Sequence, residues 1–273
     1  MTSRSRAATL AAVLTAALIA AAPAVAAPSW APASSATVHP GVMTYTNGAQ
    51  CTANFVLYDA SSVYIGQAAH CSGTGAATAT NGCTSGSLPI GTPVQVSGAS
   101  RPGTLAYNSW LTMQQLGETD PNTCQYNDLA LVRLDPADVS ATNPSIPFWG
   151  GPTGINTTGT QTGDNVLSYG NSSLRAGITA LSPKEGVSLG TDSGGWNHSV
   201  YTVTPGIPGD SGSAFLDGQG KALGVLSTVA IAPLPASNGV GDFSHELNYL
   251  NQKTSFAVTL ATGTEPFRGP LLP

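Results

Sequence analysis

The chain reads as an all-β protein built from two units of similar size, on three observations. Short runs of β-branched and aromatic residues alternate with clusters of Gly, Asn, Ser and Thr from residue 41 onward, the pattern of antiparallel strands that close into sandwiches or barrels. A stretch from 135 to 163, carrying Pro136, Pro144, Pro147, Pro152 and several glycines, divides these runs into two sets. Helical periodicity is confined to one late segment. Two β-barrels packed together are therefore expected, the first over residues 41–135 and the second over 160–240, followed by a helix over 242–252.

The amino terminus comes before this pattern. Arg4 and Arg6 precede an alanine-rich apolar run, then Pro23 and the small-residue stretch Ala24-Val25-Ala26-Ala27. This is the layout of a secretory signal, expected over residues 1–26. The apolar run falls short of the ~20 residues that span a bilayer. Residues 27–40, rich in Pro, Ala and Ser, read as a flexible lead-in, and 266–273 as a frayed tail.

In the first unit, strands are expected at 42–46, 53–58, 62–68, 93–98, 105–110 and 129–134; in the second, at 165–169, 177–182, 199–204, 213–216 and 222–229. For the late helix, Asp242 can cap the first turn, and Phe243, Leu247 and Leu250 recur at i, i+4 and i+7, so one apolar face would lie on a barrel.

Removing the signal would leave seven basic and fourteen acidic residues. Such a balance argues against nucleic acid or an anionic membrane as a partner. The four cysteines, Cys51, Cys71, Cys83 and Cys124, behind a signal peptide read as two disulfides with three possible pairings. None sits in a C-x-x-C knuckle, so a structural zinc site is the weaker reading and no metal or cofactor is expected.

Three short stretches carry chemistry. In Gly209-Asp210-Ser211-Gly212-Ser213 a serine sits between glycines, with little crowding and free N–H groups beside it, as a nucleophilic hydroxyl requires. Gln67-Ala68-Ala69-His70-Cys71 ends a strand-like run in a histidine flanked by small residues that leave room for a substrate, and a disulfide at Cys71 would hold this candidate base. Asn127-Asp128-Leu129-Ala130-Leu131 sets an acid at the start of a buried strand, where a carboxylate needs a partner such as an imidazole N–H. The other histidines, His39, His198 and His245, read as surface or loop residues.

Together Ala69-His70-Cys71, Asp128-Leu129-Ala130-Leu131 and Gly209-Asp210-Ser211-Gly212, in the order His, Asp, Ser, resemble the chymotrypsin (trypsin-like) serine proteases, above all their secreted bacterial branch, over about residues 41–250. The resemblance implies two six-stranded antiparallel barrels with a triad of His70, Asp128 and Ser211 between them. It also implies an oxyanion hole from the N–H groups of Gly209 and Ser211, and disulfides Cys51–Cys71 and Cys83–Cys124. The implied function is a secreted, monomeric, extracellular serine endopeptidase acting on protein or peptide. The alternative is a silent pseudo-protease serving as a binding module, because no Ile-Val-Gly-Gly-like activation terminus is present. Asp210 then needs an internal partner, for which Arg175 is the candidate.

Matched to the family, Pro205 stands where trypsin-type enzymes keep the acid of the specificity pocket, which removes the basis for Lys/Arg preference. Ser227 falls where a serine supports the triad acid and the substrate backbone. Val229 narrows the pocket toward small or medium apolar side chains, and Leu226 replaces the histidine expected of glutamate-specific relatives.

Overall fold

The computed structural model describes residues 26–76, 78–228 and 236–271, together with the main chain of Val229. The signal segment, apart from Ala26, lies outside the described residues. Among those described, no helix is long and apolar enough to cross a membrane.

The first unit holds strands β1 (Met43–Thr46), β2 (Ala49–Thr52), β3 (Val56–Tyr58), β4 (Val63–Ala68), β5 (Pro93–Val96), β6 (Gly103–Asn108) and β7 (Leu129–Arg133), with helices α1 (Ser109–Leu116), α2 (Pro121–Tyr126) and α3 (Pro136–Val139). β2 and β3 are halves of one bent strand: the first pairs antiparallel with β1 and the second with β4. The run β4-β7-β6-β5-β1 joins these halves, so six strands curl around one core. In the second unit β8 (Asn165–Tyr169), β9 (Pro183–Asp192), β10 (Asn197–Thr202), β11 (Ala214–Asp217), β12 (Ala222–Val229) and β13 (Asn238–Asp242) close into an antiparallel barrel in the order β10-β13-β12-β11-β8-β9. Helix α4 (Phe243–Lys253) and a short β14 (Thr259–Leu260) follow, and β14 adds to the edge of β3.

Alternation along the strands divides the apolar residues among three cores. In β4 and β7, Val63, Ile65, Ala130 and Val132 face the interior of the first unit, while Tyr64, Ala68, Leu129 and Leu131 face the second. The middle layer also takes Leu167, Leu216 and Val225 from the second barrel and Phe243, Leu247 and Leu250 from α4. Val166, Val200, Phe215, Leu223, Leu226 and Val240 fill the second barrel. A strand buried on both faces has no polar side, which is why β7 reads as a continuous apolar run. α4 starts as the sequence predicts, with the Asp242 carboxylate accepting the His245 N–H at 2.8 Å, and Phe243 packs on Phe55 with ring centroids 4.6 Å apart.

Several expectations need correction. The lead-in packs against the domain: Ala31 and Val38 are buried, and the Ala31 N–H donates to Thr142 O at 2.9 Å. The tail does so too, with the Arg268 N–H on Trp149 O and Phe267 against the middle core. Residues 177–182 form turns, and the strand begins only at Pro183. His198 is fully buried, not a surface residue: Asp242 Oδ2 lies 2.9 Å from its Nε2 and Thr191 Oγ1 2.9 Å from its Nδ1.

Candidate active site

His70 follows β4 in a one-turn 3-10 helix, and Asp128 sits one residue before β7, the neighbour of β4 in the sheet. The Ala69 N–H donates to Asp128 O at 2.7 Å and the His70 N–H to Asp128 Oδ1 at 2.9 Å, so the two main chains are tied before the side chains meet. His70 Nδ1 lies 2.7 Å from Asp128 Oδ2. A carboxylate oxygen can only accept, so Nδ1 carries the proton and Nε2 is left as the free base. Ser227 Oγ donates to the same Oδ2 at 2.5 Å. Burial pulls the His70 pKa down, but the charge of Asp128 and its hydrogen bond outweigh this and raise it above 6.5. The disulfide Cys51–Cys71 fixes the residue beside His70, and Cys83–Cys124 closes the loop leading back to Asp128.

Ser211 shares with His70 and Asp128 a cleft of about 680 Å³, lined also by Pro208, Gly209, Leu226, Ser227 and Thr228 from the second unit. Its loop is braced from both sides. The Thr52 N–H donates to Ser211 O at 2.8 Å from the first unit, and the Gly212 N–H to Leu226 O at 2.7 Å from the second. Gly212 has φ +87°, and a Cβ there would lie 2.6 Å from Thr52 O, so only glycine fits. Ser211 Oγ itself has no hydrogen-bond partner among the described residues.

Among the described residues, the N–H groups of Gly209 and Ser211 in this loop have no protein partner. The peptide between Pro208 and Gly209 is locked from behind. Pro208 O accepts from Ser172 Oγ at 2.6 Å, while Gly209 O accepts from Thr52 Oγ1 at 2.8 Å and Gln50 Nε2 at 2.9 Å. In a trans peptide the N–H points opposite to the preceding C=O, so the Gly209 N–H is directed away from Ser172.

Under the loop lies Asp210, with no exposed surface. Arg175 Nη2 pairs with its Oδ2 at 2.6 Å, Lys184 Nζ approaches the same oxygen at 3.1 Å, and Oδ1 accepts the Ser172 N–H at 3.0 Å. Arg175 is the partner expected from the sequence; Lys184 is an addition. Burial pulls Lys184 below the usual lysine range against the pull of Asp210, and Arg175 adds to the lowering.

No family model matches the chain, and no curated protein matches it. Solved structures do. Protease A of Thermobifida fusca superposes with a TM-score of 0.53 at 19% identity, over 83% of this chain and 99% of its own. A Glu endopeptidase does so with a TM-score of 0.50 at 15% identity, over 80% of this chain and 91% of its own. The chain has the chymotrypsin fold.

Within the chymotrypsin fold, one residue expected at the specificity pocket stands elsewhere. Pro205 does not line the cleft; its carbonyl accepts from Arg175 Nη2 at 3.2 Å and Lys184 Nζ at 3.3 Å. The side chain of Val229 lies outside the described residues. Sequence reasoning missed Gln50, Thr52, Ser172 and Lys184. The first three carry no signal beyond being small or polar. A lysine inside a strand, in a chain where only 8% of residues are charged, is a signal of sorts. The cysteines near His70 are bonded to each other, so the group Cys51, His70 and Cys71 offers no thiolate to a metal.

Proposed function

We propose that the protein is a secreted serine endopeptidase working through an acyl-enzyme. The observation that carries this is the Asp128–His70 pair, oriented by two further hydrogen bonds, facing the same cleft as a braced serine with two unpartnered N–H groups beside it. The two disulfides support export to an oxidising compartment.

In this mechanism Ser211 Oγ attacks the scissile carbonyl carbon while His70 Nε2 takes the hydroxyl proton. Asp128 keeps the proton on Nδ1 and stabilises the imidazolium. The carbonyl electrons move to oxygen, where the Gly209 and Ser211 N–H groups receive the developing charge; one such donor is typically worth ~10²–10³ in rate. His70 then protonates the leaving amine, and water repeats the cycle to release the acid. Arg175 and Lys184, paired with Asp210, supply the positive charge that an amino-terminal ammonium supplies in the animal enzymes, so the site is set without an activation cleavage.

The preference for small or medium apolar side chains stays part of the proposal, its pocket walls now Ile207, Leu226 and Thr228. A second reading, the silent binding module, rests on Ser211 Oγ making no hydrogen bond to His70. Catalytic hydrogen bonds often tighten only when substrate binds, so this geometry does not favour it. The purified mature chain should hydrolyse an unfolded protein at pH 8, and Ser211→Ala should lose that hydrolysis completely. Equal hydrolysis by the variant would remove Ser211 from the mechanism.

A further inference from the structure

Behind the triad lies an acid that the mechanism above does not use. Glu246, on the first turns of α4, has no exposed surface, and its Oε1 accepts the main-chain N–H of Asp128 at 2.8 Å. Among the described residues its other oxygen, Oε2, is buried without a partner, and so are both polar atoms of the Asn127 side chain, next to Asp128. Among the described residues no cation pairs with it, while Asp128 and Asp242 both bring negative charge toward it. A buried carboxyl so placed, sharing a hydrogen bond with the residue that orients the catalytic base, is an expensive group to keep for packing alone.

We propose that Glu246 is a positioning residue for the triad: it holds the Asp128 main chain in place from behind, and through it the carboxylate that orients His70. This inference rests on the endopeptidase reading of the site. Asp128 is then fixed at three points. Its carbonyl is held by the Ala69 N–H and its carboxylate by His70 and Ser227, and its N–H is held by Glu246.

Glu246 does this uncharged. Burial raises its pKa well above the carboxylate range; the Asp128 N–H opposes the rise, and the charges of Asp128 and Asp242 add to it. The neutral acid avoids a second anion beside Asp128 yet still offers a carbonyl oxygen to the N–H. The groups facing it are Asp128 at the head of β7, Tyr107 of β6 and Asp242 at the start of α4. Asp242 is itself bonded to His198 Nε2 and His245 Nδ1.

Two substitutions test this. Glu246→Gln keeps the acceptor and fixes the neutral state, whereas Glu246→Leu removes the acceptor at similar volume. With a peptide substrate, the leucine variant should lose about tenfold or more in kcat at little change in KM, the cost of an unpaired buried N–H. The glutamine variant should restore kcat to within a few fold, with the acid limb of its pH profile unmoved. A limb falling by about a unit in the glutamine variant would mean that a charged Glu246 had been raising His70, and would overturn the proposal. So would a leucine variant as fast as wild type.

A second readout needs no activity. An acid with a raised folded pKa gives up stability as pH rises from its unfolded value near 4.5 through its folded value. The Tm advantage of Glu246→Gln over wild type should therefore grow from pH 4.5 to pH 8. A constant difference would show an ionised Glu246 and sink the proposal, even if the leucine variant fails to fold. If wild type hydrolyses nothing, the protease reading fails, while the Tm series still decides the state of Glu246.

Discussion

At the scale of single residues, His70 shows how opposing effects set the basicity of an imidazole. Burial alone would lower its pKa; the adjacent carboxylate reverses this, so the folded value lies above 6.5. In the proposed mechanism only neutral His70 can take the serine proton. The acid limb of kcat/KM should therefore have an apparent pKa above 6.5, as a pH profile on a peptide substrate would show. Asp128→Asn removes the charge and favours the wrong tautomer, and should fold normally while losing ~10⁴ in kcat, as in the Ser-His-Asp template. A circular dichroism spectrum beside the rate would separate lost chemistry from lost fold. The residues of this pair were legible in the sequence because each sits in a distinctive local setting, a histidine among small residues and an acid heading an apolar run. Glu246 was legible too, in principle. It stands three residues after Phe243 and one before Leu247, inside the apolar stripe of α4, where a carboxyl is out of place.

At the scale of elements, what could be read depended on how much of the stability comes from side chains. β7 and β12 show themselves because they bury apolar faces. β13, Asn-Gly-Val-Gly-Asp, does not; it is a strand because its main chain pairs with β10 on one side and β12 on the other. The same holds for β9, which opens on Pro183 and carries two glycines. α1 was hidden because it buries only Ser109, Trp110 and Met113, although Asn108 and Gly117 cap it: the Asn108 side chain accepts two N–H groups, and Gly117 takes φ +64°. The loop carrying Ser211 depends on a buried charge cluster that long-range contacts assemble from three separate segments. Asp210→Asn would leave Arg175 and Lys184 facing each other without a counter-charge. Breaking a buried pair in this way costs about 3–5 kcal/mol. A lower Tm is expected, with a smaller fraction of active sites titrating, and an unchanged Tm would mean that the loop is held by its hydrogen bonds alone.

At the scale of the whole molecule, the site exists because two β units share one apolar layer and meet along a seam. The first unit supplies His70 and Asp128, and the second supplies Ser211, the base, acid and nucleophile of the proposed mechanism. Gln50 and Thr52 reach across from the first to hold Gly209, and Ser227 reaches back from the second to hold Asp128. No local pattern could disclose these cross-seam bonds, which join residues 99 to 159 positions apart. The order of the three motifs pointed instead to the chymotrypsin fold that the superpositions show. The central claim is that Ser211 is an activated nucleophile in the folded chain. Incubating the intact mature protein with a fluorophosphonate near pH 8 and mapping the adduct by mass spectrometry tests this most directly. One covalent adduct per chain, on Ser211 and absent from Ser211→Ala, is the predicted result; a folded wild-type protein that stays unlabelled would contradict it.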